Sequence, residues 1–230
     1  MKSTAGSDTA KRRAGEAAAE AVEDGMAVGF GTGSTAAHAI EALGKRVDNG
    51  LDIVGVPTSF GARQLAIERG IDLVDLDEID QLDLAIDGAD QLVLETGNCI
   101  KGGGAAHTRE KIVAAAADEL AIVVDDTKLA ETLDYTVAVE LIPAARIGVE
   151  QAVDALGGTP TLREAVNKDG PVVTDNGNLV VDCEFGVIEE PAALGTALSQ
   201  IPGVVEHGIF VDRSTVAYVG TEDGVDVRRY

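Results

Sequence analysis

At 230 residues and 45% hydrophobic content, the chain can bury one good core or two modest ones, and a folded globular protein is expected. Forty acidic against eighteen basic residues leave a formal charge of -22, which argues against nucleic acid or an anionic membrane as the main partner. No apolar run reaches the roughly 18 to 20 residues of a membrane helix, since Ile112–Ala117 is stopped by Asp118 and Leu120–Val124 by Asp125.

The acids are dispersed rather than gathered in a tail, and only seven Lys are present, which reads as a halophilic surface; an ordinary acidic surface is the alternative. At molar salt the Debye length shrinks to about 3 Å, so only charges inside a site steer an anionic ligand. The first residues, Met1–Asp8, carry no apolar region of a signal peptide, and a cytoplasmic location is expected. Cys99 and Cys183 make no C-x-x-C pair and read as two reduced thiols.

In chain order, Ala-rich Thr9–Glu23 predicts a helix stopped by Gly25. Strand Met26–Phe30, helix Ser34–Leu43, strand Asp52–Val56, helix Ser59–Arg69, short strand Asp72–Leu73, strand Leu82–Ile86, helix Thr108–Ala117 and strand Leu120–Val124 follow. This alternation predicts an α/β fold, a parallel Rossmann-like sheet in three layers. Beyond Asp126 the texture changes. Strand Val137–Leu141, helix Ala144–Leu156 and a hairpin over Val172–Val181 precede a helix at Ala192–Gln200, an order that predicts a smaller α+β (ferredoxin-like) domain. Asn176-Gly177 predicts a type I′ turn in that hairpin. Gly208–Val211, Val216–Val219 and Gly224–Val227 read as short strands that rejoin the first sheet. Residues 1–131 with 206–230 form the expected catalytic domain, and 132–205 the smaller domain and candidate oligomerisation unit.

Three segments carry the chemistry, each after a strand-like run whose carboxyl end is where open α/β sheets place ligands. In Gly31-Thr32-Gly33-Ser34-Thr35, glycines admit close backbone approach while amides and hydroxyls at a helix start face an anion. The segment lacks the Lys of a G-x-x-x-x-G-K-[ST] loop and the last Gly of G-x-G-x-x-G, so a nucleotide is disfavoured. Asp87-Gly88-Ala89-Asp90 ends a buried-looking strand with two carboxylates. In Lys101-Gly102-Gly103-Gly104, three glycines call for backbone close to a ligand or another segment, and Lys101 sets a charge there. Glu110 follows in the first turn of a helix, where the dipole favours its ionised form and where it could equally serve as a cap. His38, His107 and His207 have no metal-ligand spacing and read as structural or solvated, which disfavours zinc or cobalt. Asp125 and Asp126 are the remaining place for magnesium, and more simply a polar strand end. The inventory fits acid–base chemistry on a phosphorylated small molecule.

With these residues in view, the chain resembles the A-type family of ribose-5-phosphate isomerases. The likeness rests on Gly31–His38, Asp87–Asp90, Lys101–Ala106 with Thr108–Lys111, and Val172–Asn178, and Ile201–Val205 with Gly220–Val225 extends it nearly to the end. His107 stands where the family has an apolar residue. The resemblance implies interconversion of ribose 5-phosphate and ribulose 5-phosphate in the pentose phosphate route, without metal or organic cofactor. By the family pattern Glu110 is the general base, Lys101 and the amides of Gly102–Gly104 stabilise the enediolate, and Asp87 assists ring opening. Asp87, Gly88, Ala89 and Asp90 would hold the sugar, Thr32, Gly33, Ser34 and Thr35 the phosphate, with Lys128 and Lys11 at the ligand. Family members are dimers or tetramers, so a homodimer or homotetramer is expected. Burial is expected to raise the Glu110 pKa once substrate excludes water, against the helix dipole. A related phosphosugar isomerase or deaminase, or a phosphosugar-binding sensor, are the alternative readings.

Overall fold

Short apolar strands separated by Ala-rich helices dictate the first half of the chain. The computed structural model describes residues 6–230, so of the signal-peptide reading at Met1–Asp8 the first five residues lie outside the described residues. In order come α1 (Asp8–Glu20), β1 (Ala27–Phe30), α2 (Ser34–Val47), β2 (Val54–Pro57), α3 (Phe60–Glu68), β3 (Asp72–Leu73), β4 (Leu82–Gly88), β5 (Gln91–Val93), β6 (Cys99–Ile100), α4 (His107–Ala116), β7 (Ala117–Asp125) and β8 (Leu129–Ala130). The second half adds β9 (Val137–Leu141), α5 (Arg146–Ala155), β10 (Thr159–Leu162), β11 (Leu179–Glu184), α6 (Pro191–Ser199), β12 (Val204–His207), β13 (Ile209–Phe210), β14 (Val216–Gly220) and β15 (Val225–Arg229).

A seven-stranded sheet in the order β15-β14-β7-β4-β1-β2-β3 is parallel except for its edge strand β15. Both faces are covered, as a parallel sheet requires. On one face Ala14, Ala18 and Val22 of the α1 segment and Ile40 and Leu43 of α2 pack on Val28, Phe30 and Ile86. On the other, Val113 and Ala114 of α4 pack with Ala85, Ile122 and Phe210. Each fully buried Val, Leu, Ile or Phe contributes about 1.5 to 3 kcal/mol. The chain is therefore α/β, with a Rossmann-like three-layer sheet.

The second sheet, β10-β11-β9-β12, is antiparallel throughout. Its chain order β9-α5-β10-β11-α6-β12 is the split βαβ arrangement of ferredoxin-like units. Val149 and Val153 of α5 and Leu198 of α6 close its core over Val139 and Val181.

Two sequence expectations change. The hairpin turn is not type I′, because Gly177 (φ +82°) alone has positive φ there. Thr174 N donates to Asn178 O and Gly177 N to Thr174 O, both 2.9 Å, a three-residue loop whose last residue takes the left-handed conformation. Ile209–Phe210 does not rejoin the large sheet but pairs with Cys99–Ile100 in a small sheet ordered β13-β6-β5-β8. Gly208 makes that turn possible, since a Cβ there would meet Lys101 O at 2.1 Å. Both cysteines are free and buried, and no helix among the described residues is long and apolar enough to cross a membrane.

Candidate active site

Because β1, β4 and β7 run parallel, their carboxyl ends share one edge of the sheet, and the three motif segments converge there. One cleft is lined by Thr32, Gly33, Ser34 and Thr35 after β1, by Gly88, Ala89 and Asp90 after β4, and by Lys101 with Gly102, Gly103 and Gly104 after β6. Glu110 of α4, Lys11 of α1 and Lys128 after β7 complete it. Of the catalytic and substrate-binding residues that the resemblance implied, all but Asp87 stand on this wall.

The anion-facing end is built by α2. Its N-cap is Gly33 at φ +140°, with no side-chain cap, so the first-turn amides of the 14-residue helix are left facing the cleft. Thr32 Oγ1 donates to Ser59 Oγ at 2.7 Å and lies 3.1 Å from Thr58 Oγ1, which fixes the loop to the start of α3. Lys11 is 8% exposed, and no ion-pair partner stands beside it or Lys128 among the described residues. In a chain of charge -22, two uncompensated ammonium groups on one wall select an anion.

At the other end Lys101 Nζ lies 2.8 Å from Asp87 Oδ2 and 3.1 Å from Glu110 Oε2, and all three residues are 3% exposed. Nζ also donates to the Gly88 carbonyl. Asp87 Oδ1 accepts from Gly88 N at 2.7 Å and Thr32 N at 3.2 Å. Glu110 Oε2 has ion-pair contact with the ammonium but no aligned hydrogen bond. Burial first, and the Asp87 carboxylate second, push the Glu110 pKa up to about 8 against the pull of Lys101. Burial likewise raises Asp87, with Lys101 opposing. Lys101 stays charged, because the two carboxylates outweigh the burial that works against its ammonium. Two carboxyl groups share one ammonium and titrate as a unit. The expected burial of Glu110 is supplied by the protein itself, which leaves the residue 3% exposed.

The glycine loop is packed as well as open. Gly102 has φ +105°, and a Cβ there would come within 2.8 Å of Ala138 Cβ; at Gly103 it would meet Asp90 Oδ1 at 2.6 Å. Gly103 N donates to Asp90 Oδ2 at 2.7 Å, which turns that carboxylate toward the loop. Asp87, expected to touch the sugar, is not among the residues that line the cleft; its Oδ2 meets the Lys101 ammonium and its Oδ1 two backbone amides. The residues missed by the sequence reading come from the second sheet. Arg163 donates to Gly102 O at 2.8 Å and is itself paired with Asp182. Glu140, a fully buried carboxylate inside the apolar run Val137–Leu141, touches the helix that carries Glu110. A charge in a buried strand was its available signal.

His107 and His207 are buried, and burial brings both down to about 4, so they are neutral at pH 7. Among the described residues no group of three or more His, Cys, Asp or Glu is gathered to hold a metal ion.

The family model for ribose 5-phosphate isomerase A (phosphoriboisomerase A) matches residues 54–224. The ribose-5-phosphate isomerase A of Haloarcula marismortui is 62% identical over 223 residues, 97% of this chain and 96% of that one. That of Natronomonas pharaonis is 60% identical over 228 residues, 99% and 100% of the two chains. The solved ribose 5-phosphate isomerase A from Methanocaldococcus jannaschii has a TM-score of 0.92 at 43% identity, covering 96% of this chain and 98% of its own. A solved D-ribose-5-phosphate isomerase in complex with phospho-erythronic acid has a TM-score of 0.94 at 41% identity, covering 98% and 100%. Identity at this level over nearly the whole length leaves one assignment: the chain belongs to the ribose 5-phosphate isomerase A family.

Proposed function

We propose that this chain interconverts D-ribose 5-phosphate and D-ribulose 5-phosphate through a cis-enediolate, without metal or organic cofactor. The observation that carries the reading is the buried carboxylate of Glu110, whose Oε2 accepts no aligned hydrogen bond and lies 3.1 Å from the Lys101 ammonium on the wall of a cleft with two further lysines. A phosphosugar sensor would not need such a base.

The phosphate rests on the α2 N-terminus and the Thr32–Thr35 hydroxyls and amides, with Lys11 and Lys128 supplying opposite charge. Asp90 holds a sugar hydroxyl. Ring opening moves the O1 hydroxyl proton to the ring oxygen as the C1–O4 bond breaks and the C1 carbonyl forms, with Asp87, 2.8 Å from the Lys101 ammonium, as the assisting acid–base group. In the open aldose, ionised Glu110 takes the proton from C2, and the C–H electron pair becomes the C1–C2 double bond as the carbonyl electrons move onto O1. Lys101 and the amides of Gly102–Gly104 stabilise the charge on oxygen, one such donor contributing about 3 to 4 kcal/mol. Glu110 returns the proton to C1 while the O2 proton passes to O1, which leaves the ketose.

The same reading keeps residues 132–205 as a separate domain and candidate contact between copies in a homodimer or homotetramer, within the cytoplasm. The test is conversion of ribose 5-phosphate in molar KCl with chelator present, beside E110Q. Expected are full activity with chelator and a loss of about 10² to 10⁴ in E110Q turnover. Binding of phospho-erythronic acid should be retained. An active E110Q, or a parent protein silenced by chelator, overturns the reading.

A further inference from the structure

The helix that carries Glu110 begins without a cap. Ala106 occupies the N-cap at φ -116° and offers no side-chain acceptor, and Ala105 before it is held at φ +58°, where a non-glycine residue is strained. What fixes the first turn is a set of ties to the second sheet and its hairpin. Thr108 Oγ1 donates to Glu140 Oε2 at 2.5 Å. Arg109 Nε donates to Asn176 Oδ1 at 2.7 Å and its Nη2 to Asp175 O at 3.1 Å. Lys111 Nζ donates to Glu206 Oε1 at 2.8 Å and His207 O at 2.6 Å. From 108 to 111 only Glu110 turns the other way, into the cleft.

Glu140 anchors two of these ties, Thr108 directly and Arg109 through Asn176. It lies on β9, an inner strand of its sheet, and is fully buried. While Oε2 receives Thr108, Oε1 accepts from Thr174 Oγ1 at 2.9 Å, Asn176 Nδ2 at 3.0 Å and Asn178 Nδ2 at 2.8 Å. Burial alone would raise its pKa, but these four donors, three on Oε1 and one on Oε2, hold it below the ordinary value. The same hairpin reaches the substrate loop, since Asp175 Oδ2 accepts from Phe60 N at 2.8 Å, next to the Ser59 that holds Thr32.

We propose that Glu140 is a positioning residue for the isomerisation, fixing through Thr108 the first turn of α4 and hence the reach of Glu110 to the substrate carbon. This inference rests on Glu110 being the base. Proton transfer demands atoms within hydrogen-bond reach, and a displacement of about 1 Å can lower turnover about 100-fold. Phosphate contacts lie on other elements, so substrate affinity is set elsewhere.

The variant that cuts this one link is T108V, and T108S restores the hydroxyl. Measured in molar KCl, T108V should lose about 10- to 100-fold in kcat, while its Kd for the unreactive ribitol 5-phosphate stays within about threefold. T108S should recover the parent rate. E140Q, which keeps the side-chain volume and puts an amide where four donors converge, should lower kcat similarly. E140Q/T108V should be no slower than the slower single variant, because both break one tie. The proposal is overturned if folded T108V and E140Q turn over like the parent, if T108S is as slow as T108V, or if affinity falls in step with kcat. E110Q assayed beside them keeps the two ideas apart. An active E110Q removes the base, and this inference with it; an inactive E110Q beside unimpaired T108V and E140Q removes the positioning alone.

Discussion

Glu110 Oε2 lies 3.1 Å from Lys101 Nζ, yet burial and the nearby Asp87 carboxylate outweigh that attraction and push the Glu110 pKa up to about 8. A base must be ionised to act, so in the free enzyme kcat/KM should climb with pH about tenfold per unit below that value and level off above it. Because Asp87 and Glu110 titrate together, the midpoint belongs to the pair. The measurement is kcat/KM for ribose 5-phosphate from pH 5 to 10 at constant molar KCl. A profile already flat at pH 6 would show a carboxyl group left near its ordinary value.

The same shift acts on stability with a definite sign. Below the ordinary value of 4.5 both folded and unfolded states hold the Glu110 proton, and nothing is lost. Between 4.5 and about 8 the unfolded chain releases a proton the folded one keeps, so stability falls as pH rises, and above 8 the cost is complete. E110Q removes that cost. Its melting temperature should exceed the parent's at pH 9, by the equivalent of more than about 1 kcal/mol, and converge with it toward pH 5. Equal melting curves at both pH values would contradict the burial argument.

Glu110 also shows what the sequence could and could not disclose. Strand and helix alternation, the glycine loops and the first-turn position of Glu110 are local patterns, and they located the cleft. The direction of its pKa was not local: the helix dipole and burial pull oppositely, and the outcome depends on Asp87, 23 positions earlier, arriving beside Lys101. The roles of Glu140 and Arg163 were not legible for the same reason: the charge of Glu140 inside an apolar run was visible, but its donors and the acceptors of Arg163 come from Thr108, Asn178 and Gly102, assembled only when the hairpin and second sheet close over α4. The short strands β5, β6 and β8 lack periodicity because two or three residues cannot display one.

Replacing Lys101 tests the electrostatic half of the site. K101Q leaves Asp87 and Glu110 facing one another without the ammonium, so the apparent pKa of the rising limb should move above the parent's. The enediolate loses its charged donor as well, and kcat at the pH optimum should fall by about 10² to 10³. Lost turnover with an unmoved pH profile would mean that Lys101 acts on substrate without tuning the carboxyl groups.

Lys11 and Lys128 should act on binding rather than on the chemical step. Both line the cleft without an ion-pair partner among the described residues, on elements distinct from the one that carries Glu110. K128A removes an attraction present in ground state and transition state alike, so KM should rise about tenfold or more with kcat nearly unchanged. The cost should be larger at 0.1 M than at 2 M KCl, since Lys128 is partly exposed and salt screens it. A drop in kcat at constant KM would place Lys128 at the reacting carbons instead.

The whole-chain charge makes the opposite demand on salt. At -22, with the acids dispersed, the folded surface repels itself, and at about 0.1 M ionic strength a Debye length of about 10 Å leaves neighbouring carboxylates in one another's field. At about 1 M that length is roughly 3 Å and the repulsion is confined to contacts. The parent melting temperature should therefore rise steeply between 0.1 and 1 M KCl and little beyond, because screening saturates once the Debye length falls below the spacing of the charges. A pure screening effect is indifferent to the identity of the monovalent salt, so NaCl at equal ionic strength should give the same curve. A melting temperature unchanged between 0.1 and 1 M would mark the surface as an ordinary acidic one.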